Sequence, residues 1–313
     1  MGVVFWILCT LAFLCAAILI ISYVCFYMAF FVKRKKGEEN NDVLDLPKGK
    51  VYDVYHDEMA RLARETRATP YEEFSITSFD GLKLYGRFYE YKPGAPIELM
   101  FHGYRGSAER DLCGGMQRCR ALGRSALIVS QRCSGKSDGN VITFGVREHR
   151  DCLAWVDFMV KHFGKDVKII LAGISMGAST VLMAAGKPLP PNVIGVLADC
   201  GFSSAKEIIC EVIKNMGLPP KLAYPFVKLG AKIYGHFDLE ETPACEAVKH
   251  ATVPIIFFHG EDDRFVPSYM SKINFDACAS EKCLVTMKNA AHGLCYLVEP
   301  DRYIKSIKDF FKI

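Results

Sequence analysis

The stretch IILAGISMGAST, residues 169–180, decides how the chain is read. An unbroken apolar run leads into Gly173-Ile174-Ser175-Met176-Gly177, and small residues follow. The run suits a strand buried on both faces. Ala178, Ser179 and Thr180 suit the first turn of a helix packed closely on that strand. A Gly-x-Ser-x-Gly pentapeptide says little alone. Set between a buried strand and a helix, it describes a sharp turn that lifts a serine hydroxyl to the edge of a sheet. Little side-chain volume fits beside such a turn, which accounts for Gly173 and Gly177. Ser175 is the candidate nucleophile.

The surrounding texture agrees. Phe74 to Ser78 and Leu82 to Tyr91 read as two strands joined at Asp80-Gly81, a hairpin signal. Further strand-like runs follow at 97–101, 126–130, 167–172, 193–198, 254–259 and 283–287. Helical segments at 107–122, 145–162, 175–186, 267–277 and 295–312 alternate with them. Alternation of this kind predicts an α/β fold: a mostly parallel eight-stranded sheet with helices on both faces and the hairpin at one edge. Residues 201–250 break the rhythm with two helical segments, about 203–216 and 219–234. They are expected to form a helical lid insertion over the C-terminal edge of the sheet, with Ile208, Ile209, Leu222, Phe226 and Leu229 as its apolar material.

Upstream, residues 1–32 carry no charged side chain, and Lys33-Arg34-Lys35-Lys36 follow at once. That length is ample for one transmembrane helix. A cleaved leader would need a basic start and a shorter apolar core. An uncleaved single-pass anchor is therefore expected, and the basic cluster puts the rest of the chain in the cytoplasm. Residues 33–72 read as a linker and an amphipathic helix, with Tyr55, Met59 and Leu62 on one stripe and Pro70 as its stop. The domain itself is expected over 73–313.

The chain has 313 residues, half of them hydrophobic, and a net charge of +4. This balance, with no basic stripe outside residues 33–36, argues against a nucleic-acid partner. The 13 cysteines are odd in number and scattered, three of them (Cys9, Cys15, Cys25) inside the anchor. They read as reduced thiols, not as a disulfide framework or a zinc site, and no metal or cofactor is expected. Gly135-Lys136-Ser137 lacks the earlier glycine of a phosphate-binding loop, since Ser130 stands at that position.

A serine attacks only when a base takes its proton. His292, in KNAAHGLCY between the last strand and the terminal helix, is the candidate base. The acid behind it should come from a loop after a late strand. Asp263 in HGEDDRFVP is favoured, and Asp199, after the 193–198 strand, is the alternative. Backbone N–H groups of Tyr104, in FHGYRGS, and of Met176, beside the nucleophile, are the candidate oxyanion donors. His102 and Gly103 are expected to shape that first loop.

Over residues 73–313 these pieces together resemble the α/β-hydrolase superfamily: His102-Gly103-Tyr104, the serine pentapeptide, the Asp263 loop and His292-Gly293, in the order nucleophile, acid, histidine. QRCSGKSDG, residues 131–139, is similar to a segment common in that superfamily, with Cys133-Ser134 in place of Gly-His. ADCGFSS, residues 198–204, resembles the esterase and serine-aminopeptidase-like branch among bacteria, some of whose members carry an N-terminal span. The resemblance implies a serine hydrolase with a Ser-His-Asp triad acting on carboxylic esters, apolar acyl esters first. A peptidase or amidase using the same triad is the alternative. A non-catalytic binding protein on this fold would be expected to lack a triad member, and none is missing.

Overall fold

The computed structural model describes residues 2–33 and 46–312. Of the basic cluster, residues 34–36 lie outside the described residues, as does most of the expected linker. Eight strands, β1 (Glu72–Thr77), β2 (Lys83–Tyr89), β3 (Ile97–Phe101), β4 (Ser125–Ser130), β5 (Ile169–Ile174), β6 (Val193–Asp199), β7 (Ile255–Gly260) and β8 (Lys282–Met287), form one sheet in the order β1-β2-β4-β3-β5-β6-β7-β8. Only β2 runs against its neighbours, pairing antiparallel with β1 and β4. The fold class and strand content are those the alternating pattern predicts.

The N-terminal helices are α1 (Gly2–Ala29), α2 (Lys50–Asp53) and α3 (His56–Ala68). Between β3 and β4 stand α4 (Ala108–Asp111) and α5 (Cys113–Ala121), and α6 (Glu148–Phe163) precedes β5. Then come α7 (Met176–Ala185) and the insertion helices α8 (Ala205–Asn215), α9 (Pro220–Tyr234) and α10 (Ala244–Ala247). The last are α11 (Tyr269–Ala277), α12 (Cys295–Val298) and α13 (Pro300–Phe311). Two expected single helices are each broken in two. The 107–122 segment divides at Leu112, and 295–312 divides before Pro300, which has no N–H to continue a helix and so starts a new one.

Strands β3 and β5 sit at the centre and are almost wholly buried. α7 packs on them with every residue buried, which is why its sequence is small and apolar. A charged side chain lies in this core. Glu98 of β3 stands between Ala126 and Ile170 of its neighbours and is fully buried. Arg118 of α5 and Arg124 meet its two carboxylate oxygens at 2.6 Å each.

The first helix differs from a free anchor. Residues 2–21 contain no buried side chain, and at 1.5 Å per residue they measure about 30 Å. From there the helix continues unbroken onto the body. Ser22, Phe26 and Phe30, four residues apart, are buried against α9 and the 140–144 segment. Gly230 of α9 makes the close approach possible, because a Cβ there would lie 2.3 Å from the Ser22 carbonyl oxygen. Gly230→Leu is expected to cost about 1–3 kcal/mol by overpacking this contact. The measurement is the thermal midpoint of the full-length protein, and an unchanged midpoint would mean that the contact carries no weight.

The insertion at 201–250 is helical as expected, and none of its residues is among those lining the pocket that holds Ser175. Its helices turn their apolar faces to α1 and to each other. The N-terminal segment supplies part of the pocket wall. Met59, Leu62 and Ala63 of α3 are buried with Leu297, and Pro47, Tyr52 and Met59 line the pocket.

Candidate active site

β5 ends at Ile174 and α7 begins at Met176, so Ser175 alone makes the turn. It holds φ 56° and ψ −120°, a left-handed conformation that a side chain adopts only when its surroundings enforce it. Two close approaches do so. A Cβ on Gly173 would lie 2.2 Å from the Gly177 carbonyl oxygen, and one on Gly177 would lie 2.1 Å from that of Phe101. The Ser175 N–H donates to the Asp199 carbonyl at 2.8 Å, which ties the turn to the end of β6.

Three side chains then meet in one hydrogen-bonded line. Ser175 Oγ is 2.9 Å from His292 Nε2, and His292 Nδ1 is 2.6 Å from Asp263 Oδ2. The carboxylate can only accept, so Nδ1 carries the hydrogen and Nε2 is left to accept from the serine hydroxyl. Asp263 itself is held from both sides. Its Oδ1 accepts the backbone N–H groups of Phe265 and Val266 at 2.9 and 2.8 Å. His259 Nε2 donates to the Val266 carbonyl at 2.8 Å and lies 3.3 Å from Asp263 Oδ2. Burial alone would raise the Asp263 pKa. The hydrogen bonds from His259 and His292 outweigh burial and hold it well below the usual carboxylate range.

Asp199, the alternative acid, faces elsewhere. Its Oδ2 accepts from Tyr303 Oη at 3.0 Å, and no hydrogen bond joins it to His292. Burial pushes its pKa up, against the Tyr303 bond. The Cys200 thiol, with Asp263 and His292, makes the one close group of three metal-ligand types among the described residues. Burial pushes that thiol far up, and the other two are engaged with each other, so the group is a poor metal site.

The loop after β3 completes the arrangement. His102 Nδ1 donates to the Gly103 carbonyl at 2.9 Å, and its Nε2 accepts from the Gln131 N–H at 3.1 Å. Burial lowers its pKa, which keeps this neutral tautomer. Gly103 N–H donates to Asp111 Oδ2 at 2.8 Å. Among the described residues no protein acceptor takes the N–H of Tyr104 or of Met176. Both therefore remain available to an incoming oxygen. Ser134, one of the two departures in QRCSGKSDG, donates from Oγ to the Gly106 carbonyl at 3.2 Å and so braces this loop.

Ser175 and His292 stand in a cavity of about 410 Å³. Tyr52, Met59, Leu112, Phe265, Leu294 and Leu297 give it mostly apolar walls. Three participants escaped the sequence reading. Tyr52 donates from Oη to the His292 carbonyl at 3.0 Å, and burial raises its phenol to about 12, so it remains a donor. Asp111 orients the Gly103 turn. His259 supports Asp263. The only sequence signals were the strand-end position of His259 and the aromatic character of Tyr52.

No protein-family model matches the chain. The uncharacterized protein YqkD of Bacillus subtilis is 23% identical over 310 residues, 97% of this chain and 96% of that one. Among solved structures, the Pyrococcus furiosus esterase Pf2001 superposes with a TM-score of 0.65 at 19% identity, over 87% of this chain and 98% of its own. An acylaminoacyl peptidase of Pyrococcus horikoshii gives 0.56 at 17% identity, over 80% of this chain and 42% of that one. The chain has the α/β-hydrolase fold that these two structures share.

Proposed function

We propose that this protein is a membrane-anchored serine hydrolase that cleaves carboxylic esters through an acyl-enzyme. The observation that carries the reading is the line from Ser175 through His292 to Asp263 on the floor of an apolar cavity. In the first half-reaction Ser175 Oγ attacks the ester carbonyl carbon, and its proton passes to His292 Nε2. The carbonyl oxygen gains negative charge and is received by the N–H groups of Tyr104 and Met176. The C–O bond to the alcohol then breaks, and His292 returns the proton to the leaving alkoxide. In the second, water attacks the acyl carbon, gives its proton to His292, and releases the acid and free Ser175. Asp263 holds the imidazole in the required tautomer and stabilises its cationic form.

An alkoxide leaves more readily than an amine, and the apolar cavity suits an acyl chain, so esters are preferred to amides. Residues 2–21 form the membrane span. Its continuation into the buried Ser22, Phe26 and Phe30 supports retention of the segment, because cleavage would strip these turns from the body. The basic residues after it support a cytoplasmic catalytic body.

The test is labelling of the full-length protein with a fluorophosphonate, beside Ser175→Ala, followed by a panel of acyl esters and aminoacyl amides. Wild type is expected to label and the variant to stay unlabelled, with hydrolysis confined to the esters. Equal labelling of the variant overturns the nucleophile. Faster turnover of the amides moves the assignment to the peptidase class.

A further inference from the structure

We infer that the C-terminal end of the membrane helix is a positioning element of the catalytic centre, holding the oxyanion turn in place through Tyr104 and Arg105. The last carbonyls of an α-helix have no partners within it and need donors from outside. At the end of α1 those donors come from the turn that follows β3. Tyr104 Oη donates to the Ala29 carbonyl at 2.8 Å. Arg105 Nη2 donates to the Met28 carbonyl at 2.9 Å and to the Phe31 carbonyl at 3.0 Å. The cationic guanidinium also suits the negative end of the helix dipole. The clasp is reciprocal: it finishes the helix and restrains the turn.

The turn needs such restraint. Arg105 has φ 49°, a left-handed backbone in a residue other than glycine, next to the N–H that would receive the oxyanion. Packing alone does not confine it. A second cavity, about 570 Å³, borders Gly103, Arg105 and Gly106 on the side facing Tyr27, Met28 and Phe31 of the helix end. With the clasp open, the turn has space to relax into. The chain is meanwhile pinned to the body by Val32 N–H on the Asn140 carbonyl at 2.8 Å and Ile142 N–H on the Phe30 carbonyl at 2.9 Å. The helix end is thus a fixed post to which the turn is tied.

This inference rests on the proposed reading of Tyr104 N–H as an oxyanion donor, and the molecule supplies a matched control. Tyr234 of α9 also donates from Oη to an α1 carbonyl, that of Leu19 at 3.1 Å, but far from the turn. Both phenols can be removed as Tyr→Phe with the rings retained. Full-length wild type, Tyr104→Phe, Tyr234→Phe and Ser175→Ala are reconstituted in phosphatidylcholine vesicles and assayed on p-nitrophenyl butyrate.

Tyr104→Phe is expected to lower kcat about tenfold with KM within about twofold of wild type, a fraction of the loss from deleting an oxyanion donor outright. Tyr234→Phe is expected to leave kcat within about twofold, whatever its thermal midpoint does. Arg105→Ala, which opens the clasp from its other side, is expected to reproduce the kcat loss. Wild-type kcat in Tyr104→Phe and Arg105→Ala overturns the inference, as does an equal loss in Tyr234→Phe. Activity surviving in Ser175→Ala removes the underlying hydrolase reading and this inference with it. An inactive Ser175→Ala beside an unimpaired Tyr104→Phe removes the inference alone.

Discussion

Asp263→Asn is expected to lower kcat by about 10⁴, because it forces the wrong histidine tautomer. The argument runs through hydrogen-bond geometry. Oδ1 of Asp263 accepts two backbone N–H groups, so an asparagine must place its own oxygen there. Its NH₂ group then faces His292 Nδ1, where the carboxylate had accepted. Nδ1 must now accept, the hydrogen moves to Nε2, and Nε2 can no longer take the proton of Ser175. Asp199→Asn is expected to change kcat by no more than about threefold, since it touches one bond from Tyr303 and leaves the backbone tie to Ser175 intact. Steady-state kinetics on one soluble ester decides between the two, and a larger loss at Asp199 would transfer the acid's role to it.

The same substitution has a pH signature. The folded-state pKa of Asp263 is depressed, so its ionised form stabilises the native state above the unfolded carboxylate value of about 3.9. That contribution is lost progressively as pH falls from this unfolded value through the lower folded one. In acid unfolding, Asp263→Asn is expected to lack this part of the low-pH limb.

The largest loss of stability is expected from Glu98→Ala. The glutamate is wholly enclosed, and Arg118 and Arg124, themselves buried, have their charges met by its two oxygens. Burial favours the protonated acid, but the two guanidinium groups outweigh it and lower the pKa. Removing the carboxylate leaves two cations unpaired in the interior, a cost of about 3–5 kcal/mol for a broken buried pair. The thermal midpoint is expected to fall by roughly 10 °C, given the slope usual for domains of this size. Glu90→Ala, at an exposed carboxylate just past β2, is expected to stay within about 0.5 kcal/mol. A midpoint in Glu98→Ala close to wild type would show that the arginines find water or other acceptors on losing it.

Much of the architecture is legible in the sequence, because strands buried on both faces announce themselves as apolar runs. The run at 97–101 also shows the limit. Glu98 sits inside a buried strand, and its partners come 20 and 26 residues later, a pairing that no local pattern marks. The side chains of Ser175, Asp263 and His292 are each recognisable from the element they follow, and the structure brings all three together. Tyr52 reaches His292 across 240 residues, beyond any spacing argument.

The docked end of α1 is hidden for a different reason. Ser22, Phe26 and Phe30 recur with helical period, but periodicity carries little information where nearly every position around the helix is apolar. Only a contact partner such as Gly230, a small residue inside a helix of larger ones, hints that another backbone passes close by. The wall that Pro47, Tyr52 and Met59 give the cavity is not legible in the sequence either, and the apolar spacing of the insertion fits a lid and a helix-packing face equally well.

The unbroken passage of α1 from its lipid-length stretch into the body has one more consequence. A flexible tether would let a catalytic head sample a hemisphere of solvent. A continuous helix with its last turns buried leaves no swivel, so the Ser175 cavity keeps one height and one facing relative to the plane of its support. On the proposed reading, an ester that partitions into the bilayer then reaches the cavity by lateral diffusion in two dimensions, and its turnover should follow the number of substrate molecules per unit membrane area.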